Sequence, residues 1–188
     1  MRSKDERLAL RSGLEEGIMF RHGQRHDESA IRYQLHERLI SIGDDYWIEN
    51  ERGQRAFKVD GKALRLRDTW KLEDPSGHEV AVIRERKLSI RDAIKIDVGG
   101  TEATVKKALI GLRDRFHIEV DGGEDLEAHG NIVDHEYEIE RDGETVARVS
   151  KRWFRVRDTY GIEVQRLVDG PLALAVTVAI DALAHDRG

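Results

Sequence analysis

The sequence predicts a mostly β domain in which ten or more short strands form a closed antiparallel barrel around a buried hydrophobic C-terminal helix. Three observations support this fold class. Apolar and charged residues alternate with a period of two through most of the chain. Turn sequences that contain glycine recur at near-regular intervals, and one apolar segment near the C-terminus has no polar face.

The alternation predicts strands because successive side chains of a β-strand point to opposite faces of the sheet. It begins at Ile31 and gives each predicted strand one apolar face and one charged face. The apolar positions are Tyr46 and Ile48, Leu64 and Leu66, Ile94, Ile96 and Val98, Phe116, Ile118 and Val120, and Tyr137 and Ile139.

Turn sequences separate these strands and indicate repeated hairpins. Glycine supplies the positive φ that tight hairpin turns require. Successive turns are about 20 to 24 residues apart, which leaves room for one hairpin in each interval. The turns are Glu51-Arg52-Gly53, Asp74-Pro75-Ser76-Gly77, Gly99-Gly100, Gly122-Gly123 and Asp142-Gly143.

The segment Leu172–Ile180 is apolar on every side. A helix of this kind must be buried all round, and Gly170-Pro171 is a suitable helix start because proline loses no hydrogen bond at the first helical position. A helix over Leu172–Ala184 would be about 20 Å long, which matches the height of a small barrel. A buried central strand is the alternative, since valines favour strands, whereas the alanines of the segment favour helix.

The composition excludes several classes of protein. The chain has 32 basic and 37 acidic residues and a net charge of −5, so its overall field does not attract nucleic acid. It has no cysteine, which excludes disulfides, thiolate metal sites and cysteine nucleophiles.

The first 30 residues differ from the rest. They are polar and contain no uninterrupted apolar core of the kind that a signal peptide has. We expect residues 1–30 to be a polar leader, either flexible or with a short helical face made by Leu10, Leu14 and Ile18, and residues 31–186 to form the barrel domain. Since the longest apolar run is shorter than the roughly 20 residues that span a bilayer, we expect a cytoplasmic protein that is not transmembrane.

Several short sequences, taken in order and spacing, resemble the LURP-one-related proteins over about Tyr33 to Ala184. The resemblance implies a barrel of about twelve strands around a central helix, a fold shared with Tubby C-terminal domains and phospholipid scramblases. It implies no established catalytic reaction; Tubby domains bind phosphoinositides, and scramblases act on membrane lipids. The terminal helix here is shorter and carries Asp181, which argues against scrambling. The sequences are Ser41–Ile48, Gly53, Val59–Lys62, Gly130-Asn131, Val146–Lys151, Asp158–Val164 and Leu172–Asp181.

No motif for catalysis, a cofactor or a metal stands out. The glycine pairs fit neither dinucleotide nor P-loop patterns, and no G-x-S-x-G sequence is present. His22 and His26, with Asp27 beside them, lack further zinc ligands, and His129 and His135 have no obvious partners in sequence. We therefore expect no catalytic residues, no metal and no cofactor.

Asp181 is a candidate polar anchor because it interrupts a helix that should be buried, and a buried charge is costly unless it is paired. Either it lies at a helix end and reaches water or an arginine, or it lies inside the barrel mouth near Tyr160 or an arginine and marks a ligand site.

Three basic pairs are the candidate ligand-binding residues. Each follows a hairpin glycine by six to ten residues, which places it near the end of the strand that leaves the hairpin. In an up-and-down barrel such ends gather on the rim opposite the turns. Ordinary edge solubility, with nearby acidic residues neutralising the charge, is the alternative. The pairs are Arg86-Lys87, Lys106-Lys107 and Lys151-Arg152.

Two functional classes follow. One is a non-catalytic binding module for anionic phospholipid headgroups or a small anionic ligand, acting at a basic barrel rim and peripheral at the membrane. The other is a structural or protein-interaction module without a small-molecule ligand. No nucleic acid partner is expected in either case.

Overall fold

The computed structural model describes residues 30–36, 46–60, 69–87, 92–108, 115–153, 159–166 and 168–185. Within these residues lie twelve strands, a short 3-10 helix and the α-helix α1 (Gly170–His185). The 3-10 helix spans Lys151–Trp153. The strands are β1 (Ala30–His36), β2 (Tyr46–Asn50), β3 (Arg55–Asp60), β4 (Thr69–Glu73), β5 (Glu79–Lys87), β6 (Asp92–Val98), β7 (Thr101–Lys107), β8 (Arg115–Val120), β9 (Leu126–Asn131), β10 (Glu136–Arg141), β11 (Glu144–Ser150) and β12 (Thr159–Gln165).

Some sequence-based predictions fall outside these residues. They are residues 1–29 of the polar leader, the strand around Leu64 and Leu66, and the histidine pair His22 and His26; Ala30, the last leader residue, begins β1.

The twelve strands form one closed antiparallel barrel with up-and-down connections. Each strand pairs with its neighbours in sequence, and β1 closes the barrel by pairing with both β2 and β12. The closing pair runs from Ala30 opposite Gln165 to His36 opposite Thr159. Closure leaves no free sheet edge, so every strand has a hydrogen-bonded neighbour on each side. The predicted fold class is confirmed.

Three of the hairpins share one irregularity. The register shifts between Ile48 and Glu49 in β2, between Leu72 and Glu73 in β4, and after Ile139 in β10, each time just before the turn. Such β-bulges bend a strand and increase its twist. Their repeated position helps the sheet to curve enough to close.

Helix α1 lies inside the barrel. Every residue from Ala173 to Ala182 is buried, so the helix has no exposed side over this length. Asp169 caps its start, since its Oδ1 accepts a hydrogen bond from the Leu172 N–H (3.3 Å) and its carbonyl accepts one from the Ala173 N–H (3.1 Å). The predicted central helix is confirmed, and the alternative of a central strand is wrong.

The barrel has two distinct ends. The hairpin turns after β2, β4, β6, β8 and β10 lie at one end, here called the turn end, together with the start of β1 and the end of β12. The ends of β5, β7, β9 and β11 lie at the opposite end, here called the far end. The C-terminal half of α1 lies at the far end, because Asp181 contacts the first residues of β12 and the β9–β10 turn.

In the part of the chain that the structure describes, no helix combines the length and the hydropathy that crossing a bilayer requires.

Because α1 fills the barrel, a chain that ends at Gly170 should be insoluble or unfolded, and Leu174→Asp should have the same effect. Leu174 is completely buried, and each fully buried leucine or valine contributes roughly 1.5–3 kcal/mol to the free energy of unfolding. Solubility and thermal unfolding followed by circular dichroism test this. Val133→Asp is the matched control, since the Val133 side chain is 60% exposed. A soluble truncated protein with a cooperative melt would contradict the central role of the helix.

Candidate functional site

The three basic pairs lie at the far end of the barrel. Arg86 and Lys87 end β5, Lys106 and Lys107 end β7, and the third pair follows β11 directly in the 3-10 helix. We call these six residues the basic rim: Arg86, Lys87, Lys106, Lys107, Lys151 and Arg152. The side chain of Lys87 lies outside the described residues. That the rim binds an anion stays a prediction.

The pair on β7 divides between the two faces of the sheet, as successive strand residues must. Lys106 points outward, where its Nζ donates to both carboxylate oxygens of Glu119 (2.7 and 2.6 Å). The Nζ of Lys107 lies 5.7 Å from the ring centroid of Phe116, a fully buried residue of the inner face. Lys107 is therefore the member of this pair that is directed toward the barrel mouth.

The other two pairs carry the more exposed cations. Arg86 is exposed, and no ion pair joins it to another described residue. The Arg152 side chain is 81% exposed, and its Nε lies 3.6 Å from a carboxylate oxygen of Glu136. Since β11 is four strands from β7, roughly 19 Å along the sheet, the basic rim is a broad collar and not a compact pocket.

A buried polar cluster lies beneath the same end of the barrel. Asp181 of α1 accepts a short hydrogen bond from the Tyr160 hydroxyl through Oδ2, and its Oδ1 lies 3.5 Å from Nε2 of His135. Tyr137 and Thr177 complete the group, and all of its members are buried. We call these five residues the Asp181 cluster: His135, Tyr137, Tyr160, Thr177 and Asp181.

His135 joins the cluster from the β9–β10 turn. Its φ is 52°, a left-handed conformation that non-glycine residues seldom adopt. The turn is closed by a hydrogen bond from the His135 N–H to the Ile132 carbonyl (3.0 Å). Its imidazole stacks on the Tyr160 ring, with centroids 4.2 Å apart and planes inclined by 29°. The turn thus folds over the barrel mouth and places a ring next to the helix.

Tyr137 reaches the cluster from β10, where it pairs with Gly130 of β9. Gly130 has a φ of +139°, and a Cβ there would lie 2.7 Å from the Glu136 carbonyl and 2.8 Å from the Tyr137 Cα. Only glycine therefore allows the two strands to approach so closely at this point.

The Tyr137 hydroxyl makes no hydrogen bond within the described ranges. Burial, and next the negative charge of Asp181, raise the pKa of this hydroxyl well above its ordinary value of 10.0, while the nearby Thr177 hydroxyl acts in the opposite direction. The Thr177 proton is directed elsewhere, since Oγ1 donates to the Ala173 carbonyl (2.9 Å). Tyr137 therefore stays protonated across the physiological range.

The structure shows where Asp181 lies. The expectation that it reaches water at a helix end is wrong, because Asp181 is buried among strand and turn residues. It lies inside the barrel mouth next to Tyr160, as the other interpretation supposes. That this pair marks a ligand site stays a prediction. Sequence reasoning missed His135, whose contact with α1 depends on the conformation of a turn far away in the chain.

Metal binding by the described residues depends on how their histidine and acidic side chains are arranged. Among the described residues, no group of three or more histidine and carboxylate side chains is arranged to hold a metal ion. Histidines instead pair singly with acidic residues, as in His129 with Glu140 (3.0 Å) and His117 with Asp125 (3.5 Å).

Tyr160→Phe and Tyr137→Phe form a matched pair of substitutions, since each removes one buried hydroxyl near Asp181. Tyr160→Phe should lower the free energy of unfolding by about 1.5–3 kcal/mol, because it removes a hydrogen bond to a carboxyl group that remains buried. Tyr137→Phe should cost less than about 1 kcal/mol, because its hydroxyl donates to nothing in the described structure. Urea unfolding measures both values. Equal losses would show that the Tyr160–Asp181 contact is not the main polar interaction of the cluster.

The raised pKa of Tyr137 also predicts how stability changes in alkali. In the unfolded chain this tyrosine ionises near its ordinary pKa of 10.0, whereas in the folded protein it keeps its proton to higher pH. The contribution of Tyr137 to the free energy of unfolding is thus fully present below pH 10.0. It is lost as the pH rises toward the pKa of the folded state. Unfolding free energy measured between pH 8 and pH 12 should decline less steeply in Tyr137→Phe than in the parent; parallel curves would contradict this assignment.

Comparison with known proteins agrees with the observed fold. The curated "Uncharacterized protein YxjI" of Bacillus subtilis (strain 168) is 26% identical over 158 residues, which cover 83% of this chain and 95% of that protein. An X-ray structure of a protein from Arabidopsis thaliana superposes with a TM-score of 0.62 at 18% identity, and the match covers 83% of this chain and 92% of that one. This second likeness shows the fold alone.

A sequence model of one family, described as LURP-one-related, matches residues 31–181. The match takes in all of the barrel from the second residue of β1 and reaches Asp181 in the central helix. The chain therefore belongs to the LURP-one-related family.

Proposed function

We propose that this domain is a non-catalytic binding module that holds anionic phospholipid headgroups at the basic rim, at the cytoplasmic surface of a membrane. The observation that carries the proposal is topological. Three basic pairs that are far apart in sequence end or follow β5, β7 and β11, and these strands all finish at the far end of the barrel.

The charge balance of the rim supports weak and reversible attachment. Glu119 and Glu136 neutralise part of the positive charge through Lys106 and Arg152. Arg86 and most of the Arg152 guanidinium remain accessible. Each basic side chain near an anionic surface contributes about 1 kcal/mol, so a few together give reversible binding in spite of the net charge of −5.

The alternative, a structural or protein-interaction module, has less support. Among the described residues, Val133 is the one large apolar side chain that is exposed. Stable protein interfaces usually have a buried apolar core, and the described surface offers no comparable patch.

Co-sedimentation with liposomes tests the lipid proposal. The parent protein should bind phosphatidylserine-rich and phosphoinositide-containing liposomes at low salt, and it should not bind neutral ones. Binding should weaken as salt rises, because exposed charges are screened over about 8 Å at physiological ionic strength. The double reversals Lys106→Glu with Lys107→Glu, and Lys151→Glu with Arg152→Glu, should each reduce binding.

The matched control is Lys58→Glu with Lys71→Glu. These lysines are also partly exposed and ion-paired, with Glu73 and Glu79, and they lie on β3 and β4 outside the rim. The control changes the net charge by the same amount and should leave most of the binding intact. Absence of binding to all liposomes at low salt would refute the lipid proposal, and equal losses in the control would refute its assignment to the rim.

A further inference from the structure

A groove of about 490 Å³ lies between the 3-10 helix and strands β9, β10 and β11. Its volume falls within the range of about 300–1,000 Å³ that is usual for small-molecule sites. Glu138 of β10 lines it, in register with Arg148 on one side and His129 on the other. Arg152 and Trp153 border it from the 3-10 helix.

The acidic side chains of the groove are already occupied by internal donors. Glu136 accepts hydrogen bonds from the Ser150 hydroxyl (3.0 Å to each oxygen) and from the Lys151 N–H (3.2 Å). Glu138 accepts from the Thr145 hydroxyl through Oε2 (3.0 Å) and from Arg148 through Oε1 (2.9 Å). Each of these carboxylates is therefore held in place by hydrogen bonds from the barrel itself.

The arginines, in contrast, keep unused donors. A guanidinium has five N–H groups. Arg148 directs its Nε and Nη2 to a single oxygen of Glu138, which leaves the Nη1 group available. Arg152 approaches Glu136 only through Nε, at 3.6 Å, and is otherwise exposed. The groove thus offers unused guanidinium donors beside carboxylates that already accept internal hydrogen bonds.

Trp153 adds an aromatic surface beside these donors. Its ring is half-buried, and the guanidinium carbon of Arg32 lies 5.4 Å from its centroid. Arg32 is in turn paired with Glu163 (2.5 Å), so the indole has a defined neighbour on the side of β1. A planar, partly apolar wall next to unused guanidinium donors suits a ligand that combines a flat apolar part with an acceptor-rich group.

We propose that this groove binds a small ligand through a carboxylate or phosphate group, which accepts hydrogen bonds from Arg148 and Arg152 while the rest of the ligand packs on Trp153. The inference extends the proposed function to a defined site, with which the basic rim shares Arg152. It does not require the rim to bind membranes, because the groove also contains Arg148 and Trp153, which the rim does not use.

Titration of the ¹⁵N-labelled full chain with benzoate, phenyl phosphate and the uncharged benzyl alcohol tests the proposal by NMR. The two anions should shift the Trp153 indole N–H and arginine Nε–H signals saturably in the millimolar range, and benzyl alcohol should not. Trp153→Phe identifies the indole signal among the three tryptophans. Absence of saturable shifts with both anions, or equal shifts with benzyl alcohol, would overturn the proposal.

Two variants test the role of the guanidinium groups. Arg148→Lys keeps the charge and can still pair with Glu138, but it loses the planar fork. It should weaken benzoate binding by about tenfold, as should Arg152→Gln. Arg84→Gln, an exposed arginine of β5 on a distant part of the barrel wall, is the matched control and should bind like the parent. Unchanged affinity in Arg148→Lys would refute hydrogen bonding by Arg148.

Two further experiments ask whether the anion belongs to a membrane or to a free molecule, and whether the groove and the basic rim bind independently. Phosphatidylserine vesicles and free glycerol phosphate present the same phosphate chemistry in a membrane and in solution. If glycerol phosphate shifts the Trp153 and Arg148 signals, the ligand is a free small molecule; shifts with vesicles alone would overturn the small-ligand proposal. Lys106→Glu with Lys107→Glu should reduce vesicle binding and leave the benzoate shifts unchanged.

Discussion

The interior of the barrel is occupied by a helix whose backbone N–H and C=O groups hydrogen-bond within the helix, and the other features of the structure depend on this. A closed sheet uses its backbone groups between strands, so it offers no hydrogen bonds to whatever lies inside. An α-helix needs none, except at its ends. Asp169 supplies acceptors at the start of α1. The helix must also present apolar side chains to the barrel wall in every direction. The segment from Ala173 to Ala182 does so with two exceptions, Thr177 and Asp181.

Those two exceptions are resolved differently. Thr177 donates to the carbonyl one turn earlier, so it places no demand on the barrel. Asp181 cannot be satisfied within the helix and must meet the Tyr160 hydroxyl. An apolar helix inside an apolar barrel could be accommodated at several depths and rotations with similar burial, whereas a buried carboxyl group penalises every arrangement that leaves it without a partner. The His135 ring, stacked on Tyr160, extends the same constraint to the β9–β10 turn.

Much of the fold could be predicted from the sequence, because strand alternation, glycine turns and an all-apolar segment are local signals. The sequence also singles out Asp181, since one acidic residue in an apolar segment is conspicuous. His135 could not be found in this way, because it contacts Asp181 from 46 positions away in the chain. The contact also depends on the left-handed φ that His135 adopts in the β9–β10 turn. The groove is equally hidden. The hydrogen bonds of Glu136 and Glu138 with Ser150, Thr145 and Arg148 become known only when the register of β10 and β11 is known.

The far end of the barrel therefore combines two surfaces that carry basic side chains but differ in physical character. On the basic rim, exposed charges spread over several strands act through their summed field, which salt screens. In the groove the charges of Arg148 and Arg152 are balanced by Glu138 and Glu136, so little net field remains. For Arg148 the direction of the guanidinium remains, because Glu138 holds one edge of it and so fixes where its other N–H groups point. The proposed attraction at the rim would thus depend on how many charges gather there, whereas the proposed recognition in the groove would depend on geometry that the barrel wall maintains.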